Sequence, residues 1–144
     1  MKRLFLILPA LLALISSMIL LLPVQAGGDV KDAHVIAYYF HGSFRCPTCM
    51  NMEKYSREAI DSNFKDALAS GDLEFKAVNI EDRGNEHFVN DYKLYTKSLI
   101  LSLVKDGKEV KSKNLDKIWE LARNKQKFID YVTSEVTGFM KDVK

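Results

Sequence analysis

This sequence of 144 residues contains few prolines and cysteines, and its positive and negative charges nearly balance. It contains three prolines and two cysteines, and only one proline lies beyond residue 26. The 21 basic and 19 acidic residues give a net charge of +2, and the first 26 residues supply this surplus as Lys2 and Arg3. The rest of the chain is therefore neutral and lacks the excess of basic residues that nucleic-acid-binding proteins use to attract phosphates.

The remaining composition is that of a folded domain. An apolar content of 47% with a low net charge excludes an intrinsically disordered chain. The length allows one domain with a hydrophobic core and is too short for two ordinary domains. No internal repeat or low-complexity segment is present. We therefore expect one domain over residues 27–144, preceded by a segment of a different kind.

Residues 1–26 have the layout of a secretory signal peptide. Lys2 and Arg3 precede an uncharged apolar run from Leu4 to Leu22, and the small or apolar residues that follow suit cleavage after Ala26. The run is also close to the length of about 20 residues that spans a bilayer, so retention as an N-terminal membrane anchor stays open. Both interpretations place the domain outside the cytoplasmic membrane, which means the periplasm if the source is a Gram-negative bacterium. Cysteines there meet oxidising conditions.

Hydrophobic periodicity predicts the element order β-α-β-α-β-β-α. Strands are expected at 34–40, 73–80, 98–104 and 109–111, and helices at 47–69 (broken near 62–63), 86–94, 114–124 and 126–143. Asn63 is expected to cap the segment after the break, and Ser70-Gly71 is expected to end it. The helix between the first two strands predicts that they are parallel. Asp106-Gly107 is typical of a two-residue hairpin turn, so the last two strands are expected to be antiparallel. The fold class is therefore α/β, with a mixed four-stranded sheet flanked by helices.

The two cysteines flank Pro47-Thr48 at the junction between the first strand and the first helix. The start of a helix offers unpaired N–H groups and a partial positive charge, which favour a thiolate. Pro47 suits the first helical position, and this places Cys46 at an exposed N-cap with Cys49 one turn further along the same face. We therefore predict that Cys46 is a nucleophile and that Cys49 is the resolving thiol.

Two basic or titratable residues precede this pair. Arg45 is adjacent to Cys46, and His41 lies four residues before Arg45. Positive charge from both is expected to lower the pKa of Cys46 further. Pro47 and Thr48, between the cysteines, complete the set of residues expected to tune the pair or to contact its substrate.

A cysteine pair can also serve in a structural disulfide or in a metal site. A purely structural disulfide would close a four-residue loop, which contributes only about 2 kcal/mol. Tetrahedral zinc needs four ligands, and no second Cys or His pair has a suitable spacing. Copper(I) needs only two thiolates, which Met50, Met52 or His41 could assist, so a copper(I)-binding or transfer module stays an alternative. No metal and no cofactor beyond the disulfide itself is expected.

The C-P-T-C motif after a buried strand resembles that of the thioredoxin-like superfamily, and the resemblance extends over most of residues 27–144. Residues 38–53 (YYFHGSFRCPTCMNME) and 95–101 (YTKSLIL) are similar to small exported bacterial thioredoxin-like proteins, some labelled nitrophenyl compound nitroreductase subunit. No flavin-binding feature supports that label. The resemblance implies a thioredoxin fold and exchange with protein or small-molecule thiols and disulfides, with a separate redox partner that resets the pair. A non-catalytic binding subunit is the other alternative.

The chain departs from thioredoxins where a cis-proline faces their disulfide. Residues 97–99 stand there, and we expect a trans bond because a non-proline cis bond costs about 2.5–4 kcal/mol. Thr96 and Ser98 could offer hydroxyls to the sulfur or to a bound peptide, or else bond the local backbone. Phe44 is expected on a hydrophobic rim, and Trp119 is expected in the core between helix and sheet.

The buried acid that assists the resolving cysteine in many thioredoxins is also missing. Its place falls near Tyr39 or Phe40. Glu53, four residues after Cys49, could accept a proton instead. A surface ion pair between Glu53 and Arg57, one helical turn later, is the expectation we favour.

Overall fold

The computed structural model describes residues 33–143, so the predicted signal peptide or anchor lies outside the described residues. The elements are β1 (Ala33–His41), α1 (Pro47–Asn63), α2 (Lys65–Ser70), β2 (Leu73–Asn79), α3 (His87–Asp91), β3 (Ser98–Lys105), β4 (Lys108–Asn114), α4 (Ile118–Leu121) and α5 (Lys125–Met140). Across residues 33–143, no helix combines the length and apolar character needed to cross a bilayer.

The four strands form one mixed sheet in the order β2-β1-β3-β4. β1 and β2 are parallel, with Val35 opposite Leu73, whereas β1–β3 and β3–β4 are antiparallel. Asp106 and Gly107 both have positive φ angles, of 50° and 73°, as the predicted two-residue hairpin turn requires. The predicted mixed four-stranded sheet flanked by helices is confirmed.

Alternate side chains of β1 enter two separate cores, because successive residues of a strand point to opposite faces. Val35, Ala37 and Tyr39 belong to the larger core, which includes buried side chains of α1 and α5. Phe40, on the other face, packs with an aromatic group that includes Phe88. The larger core fixes α1 on the sheet. Because α1 begins six residues after the end of β1, at the cysteine pair, this packing also fixes the position of the cysteines.

The prediction of a helix at 114–124 is wrong for most of that range. β4 continues to Asn114, and only Ile118–Leu121 is helical. Backbone pairing with β3 extends the strand further, since the Leu115 N–H donates to the Leu99 carbonyl at 2.8 Å. β4 is exposed throughout, so its side chains show no apolar alternation from which its length could be predicted.

The predicted break in the first long helix is confirmed, but not the cap expected there. The break falls at Phe64, which begins α2 with no side-chain cap. Asn63, an expected capping residue, instead donates from its side chain to the Ala59 carbonyl at 2.8 Å. Gly71, at a φ of 75°, ends α2 as predicted. The last helix ends at Met140, three residues before its predicted end, and α3 is shorter than predicted at both ends.

Candidate functional site

Cys46 is the N-cap residue of α1, and Pro47 follows at the start of the helix. The backbone of Cys46 is extended, and its sulfur accepts a hydrogen bond from the Cys49 N–H at an N–S distance of 3.1 Å. The two cysteines form a disulfide, with their Cα atoms 5.0 Å apart. The predicted capping geometry is therefore present, and a backbone donor already points at the Cys46 sulfur.

The two sulfurs differ in their access to solvent. Cys49 is only 2% exposed, whereas Cys46 is partly exposed and is followed by the exposed pair Pro47-Thr48. Cys46 is thus less exposed than the sequence predicted, but it is the more accessible member of the disulfide. Attack by an external thiolate is therefore expected at Cys46 rather than at the buried Cys49.

Arg45 does not act as a free positive charge beside Cys46. Its guanidinium forms an ion pair with Glu53, and Nη1 donates to His41 Nε2 at 3.2 Å. The predicted pair between Glu53 and Arg57 is wrong, because Arg57 lies over the Phe75 ring instead, 4.5 Å from its centroid. The main chain turns before Cys46 and brings Arg45 back along α1, a contact that helical spacing cannot reveal.

The hydrogen bonds of His41 assign its tautomer. Because an arginine only donates, His41 Nε2 must be the acceptor from Arg45, and the ring proton is on Nδ1. Nδ1 then donates to the Gly42 carbonyl at 3.0 Å. His41 is therefore held between the Arg45 guanidinium and the Gly42 backbone.

Breaking the ion pair should increase the reactivity of the nucleophile. In Glu53→Gln the positive charge of Arg45 loses its partner and is free to favour the adjacent Cys46 thiolate. We expect alkylation of the reduced protein by iodoacetamide at neutral pH to become about two- to fivefold faster. This factor corresponds to the free energy of a partly exposed ion pair.

A matched control comes from the same helix. Glu58 pairs with Lys125 at 2.7 Å, well away from the cysteines along α1, and Glu58→Gln should leave the alkylation rate unchanged. Equal rates in both variants and the parent would contradict a role for Arg45 in setting thiolate reactivity.

Tyr39 connects the buried sheet to the first turn of α1. Its hydroxyl is buried and donates to the Cys49 carbonyl at 2.7 Å. Burial raises the pKa of Tyr39 above its ordinary value, and the negative charge of Glu53 raises it further, so the hydroxyl keeps the proton that it donates. Strand periodicity carries no signal for this bond, because its partner belongs to another element.

Removing this hydroxyl should weaken the fold at the cysteine pair. We expect Tyr39→Phe to lower the free energy of unfolding by about 1 kcal/mol, the net contribution of one hydrogen bond. Urea denaturation of the oxidised protein measures this change. Tyr95→Phe, at an exposed tyrosine, serves as the control and should stay within about 0.5 kcal/mol of the parent. Equal losses in the two variants would show that the Tyr39 bond is not a specific support.

A carboxylate holds the loop that leads to Cys46. Glu81 accepts a hydrogen bond from the Ser43 N–H at 3.1 Å. Bonds from the Ser43 hydroxyl and this N–H hold the pKa of Glu81 below its ordinary range. A Cβ at Gly42 would overlap the Glu81 carboxylate, so a larger residue there would displace this carboxylate from Ser43.

Residues 95–98 lie beside the same loop. Ser98 pairs with Phe40 at the end of β1. Thr96 is exposed and, with His41, lines a small pocket of about 150 Å³. Ser98 is buried, and its hydroxyl donates to the Thr96 carbonyl at 3.0 Å, which is the local backbone bond weighed above. Every peptide bond in the described range is trans, including those of residues 97–99.

Trp119 contradicts the prediction that it is a core residue. It is 40% exposed, and its indole N–H donates to the Lys97 carbonyl at 2.9 Å. Its ring lines a groove of about 520 Å³ together with Cys46 and Thr48. The prediction assumed a continuous helix over 114–124 that packs on the sheet. Only one helical turn forms there, so this packing does not arise.

Four of the five exposed large apolar side chains of the described range lie near the cysteine pair in the sequence or line a pocket that includes Cys46 or His41. Phe44, 75% exposed as predicted for a rim residue, precedes Cys46 by two positions. Met50 follows Cys49 directly, and Tyr95 and Trp119 line the two pockets beside the site. Val110, on the β4 edge strand, is the exception among these exposed residues. Exposed apolar groups concentrated in one area are typical of an interaction surface.

Comparisons with known proteins identify no family for this chain. The sequence matches no protein-family model and no curated protein. Oxidised thioredoxin O2 from Arabidopsis thaliana has a TM-score of 0.40 and 14% identity, over 65% of this chain and 74% of that chain. Fasciola hepatica thioredoxin has a TM-score of 0.38 and 22% identity, over 70% and 80%. Thioredoxin f2 of Chlamydomonas reinhardtii has a TM-score of 0.36 and 16% identity, over 69% and 83%.

At these levels of likeness, the chemistry of the site has to be argued from its own residues. None of these three structures is described as a nitroreductase subunit. Among residues 33–143, no group of three or more His, Cys, Asp or Glu side chains is placed to hold a metal ion. What the site does contain is a disulfide with one accessible sulfur at a helix N-terminus.

Proposed function

We propose that this protein is an exported thiol–disulfide oxidoreductase that acts through Cys46 and Cys49. One observation carries the proposal: the accessible Cys46 sulfur, at the N-cap of a 17-residue helix, accepts the Cys49 N–H while bonded to a buried sulfur. The same N–H stabilises the thiolate that forms when the disulfide opens. A purely structural disulfide does not require one cysteine to be more exposed to solvent than the other.

Exchange proceeds in two steps. In the reduced protein, the Cys46 thiolate attacks one sulfur of a substrate disulfide, and the other substrate sulfur leaves as a thiolate. Cys49 then loses its proton to solvent and attacks the Cys46 sulfur of the mixed disulfide. The second substrate sulfur leaves, and the Cys46–Cys49 disulfide is restored. The substrate gains two electrons, and the reverse sequence oxidises a dithiol.

The surroundings favour thiols and disulfides carried by proteins, with a separate redox partner that resets the pair. Phe44 and Trp119 provide apolar surface beside Cys46 that a small thiol does not need. The direction of net electron flow depends on the reduction potential of the pair relative to its compartment.

A redox titration tests the proposed function. The purified protein is equilibrated with mixtures of reduced and oxidised glutathione, its free thiols are trapped with a maleimide, and the products are resolved by mass. We expect both cysteines to become trapped together at potentials within the biological range. A pair that stays oxidised, or stays reduced, across that range would rule out exchange. Stoichiometric copper in the reduced protein, lost in Cys46→Ser, would favour copper binding instead.

Export is tested by the N-terminus of the mature protein. Residues 1–26 carry the signal-peptide layout, so mass spectrometry of the protein isolated from its native cells should find a chain that begins at Gly27. An intact Met1 with the protein in the membrane fraction would indicate the retained anchor. An intact Met1 in the cytoplasmic fraction would contradict export.

A further inference from the structure

The loop between β1 and the first cysteine, residues 42–45, is tied to the rest of the molecule by side chains. Arg45, at its end, is paired with Glu53 of α1. Ser43, near its start, is bonded to Glu81, which follows β2. The path of the chain into α1 therefore depends on two carboxylates from different elements.

The Glu81 carboxylate contacts two adjacent residues of this loop. It accepts the Ser43 N–H at 3.1 Å and a second bond from the Ser43 hydroxyl. It also packs directly on Gly42, where the three atoms nearest to a Cβ would all belong to the Glu81 side chain. Gly42 thus leaves room for the carboxylate, and the carboxylate holds the next residue through its backbone.

Glu81 is itself held by the end of β2. Its N–H donates to the side-chain oxygen of Asn79 at 3.1 Å, and the side-chain nitrogen of Asn79 donates to the Ser43 hydroxyl at 3.2 Å. The Ile80 N–H donates to the His41 carbonyl at 2.8 Å. Because β2 is paired with β1, these bonds anchor the loop to the sheet.

We propose that Glu81 is a positioning residue for Cys46 that acts through Gly42 and Ser43. By fixing the loop on the sheet, it keeps Cys46 in the extended N-cap conformation in which the sulfur accepts the Cys49 N–H. This inference rests on the proposed exchange function and adds a residue outside the cysteine pair that controls how readily Cys46 reacts.

The position and the charge of Glu81 have opposite effects on the nucleophile. Fixing the loop favours the Cys46 thiolate, because the N-cap position places it at the unpaired N–H groups and the positive end of α1. Any effect of the negative charge of Glu81 disfavours the thiolate, because like charges repel. Variants that separate the two effects therefore give results of opposite sign.

Two substitutions at Glu81 make this separation. Glu81→Gln removes the charge and keeps an oxygen that accepts the Ser43 N–H, whereas Glu81→Ala removes both. In Glu81→Ala, reduced with a phosphine, we expect alkylation by iodoacetamide at neutral pH to become about two- to fivefold slower. This factor corresponds to the loss of about one net hydrogen bond. Glu81→Gln should react as fast as the parent or slightly faster.

Gly42→Ala tests the same contact from the other side. The φ angle of Gly42 lies outside the left-handed region, so an alanine there strains no backbone. Its Cβ displaces the Glu81 carboxylate, and alkylation should slow as in Glu81→Ala. Adding Gly42→Ala to Glu81→Ala should cause no further slowing, because both substitutions remove one shared contact.

Two further readouts separate positioning from general stability. Exchange of the Ser43 amide hydrogen, followed by NMR, should be faster in Glu81→Ala and Gly42→Ala than in Glu81→Gln. Because Glu81 is exposed, the urea midpoint of the oxidised protein should stay at the parent value. The control is Glu86→Ala, which removes a carboxylate of the same connection that accepts the Gly84 N–H at 2.8 Å, and it should leave every readout unchanged.

The inference is wrong if Glu81→Ala and Glu81→Gln change the alkylation rate equally, since charge alone would then explain the effect. It is also wrong if Gly42→Ala slows alkylation by the same factor in the parent and in Glu81→Ala, or if slower alkylation always accompanies a lower urea midpoint. A parent disulfide that never cycles in glutathione defeats the proposed exchange function. That result is distinct, because the alkylation rates are measured on protein already reduced by the phosphine.

Discussion

Cys46→Ser is expected to abolish disulfide exchange, whereas Cys49→Ser should still attack a substrate and then stop. The Cys46 sulfur is the accessible one and receives the Cys49 N–H, so its loss removes the attacking thiolate. Turnover of insulin should fall roughly a thousandfold or more, to the uncatalysed background, as expected when an enzyme loses its nucleophile.

The second variant provides the more specific result. Without the buried Cys49 thiol, the mixed disulfide on Cys46 has no internal resolving group and should accumulate. Non-reducing gels and mass spectrometry would detect a covalent adduct in Cys49→Ser and none in Cys46→Ser. An adduct on Cys49 in the Cys46→Ser protein, at a comparable rate, would reverse the assigned roles.

Phe128→Ala is expected to cause a large loss of stability. Phe128 lies on α5, is fully buried, and packs edge-on against Tyr55 of α1, with ring centres 5.7 Å apart. Truncating a buried phenylalanine removes apolar contact and leaves a cavity, at a cost of about 3–5 kcal/mol. This is a large part of the roughly 5–15 kcal/mol that stabilises an ordinary domain.

Urea denaturation of the oxidised protein measures the loss through the midpoint and the slope of the transition. Val110→Ala, which also shortens an apolar side chain but at an exposed site, should stay within about 0.5 kcal/mol of the parent. A loss below about 1 kcal/mol in Phe128→Ala would contradict the contact through which α5 supports the helix that carries the cysteines.

Several features of the fold could be predicted because each depends on a few consecutive residues. The β-branched and aromatic run of β1, the Asp106-Gly107 turn and the helix end at Gly71 all follow from local backbone preferences. The Cys46 cap is of the same kind, since the sulfur and the N–H that it accepts are three residues apart. Where an exposed strand gave no apolar pattern, as in β4, its length could not be predicted.

The partners of the site residues could not be predicted in the same way. Tyr39 and Cys49 are on different elements, as are Trp119 and Lys97, and helical or strand spacing says nothing about such pairs. Glu53 illustrates the error: spacing favoured a partner one turn later, whereas the folded chain brings Arg45 back from the preceding loop.

The sequence by itself determined the element order, the mixed sheet and the placement of Cys46 at the start of a helix, because backbone preferences and capping act between near neighbours. Only the tertiary structure decided that Cys49 is buried, that Arg45 is paired with Glu53, and that Trp119 lines the groove with Cys46. Those features arise where separate elements meet, and their geometry is set by how the strands and helices pack rather than by any local pattern.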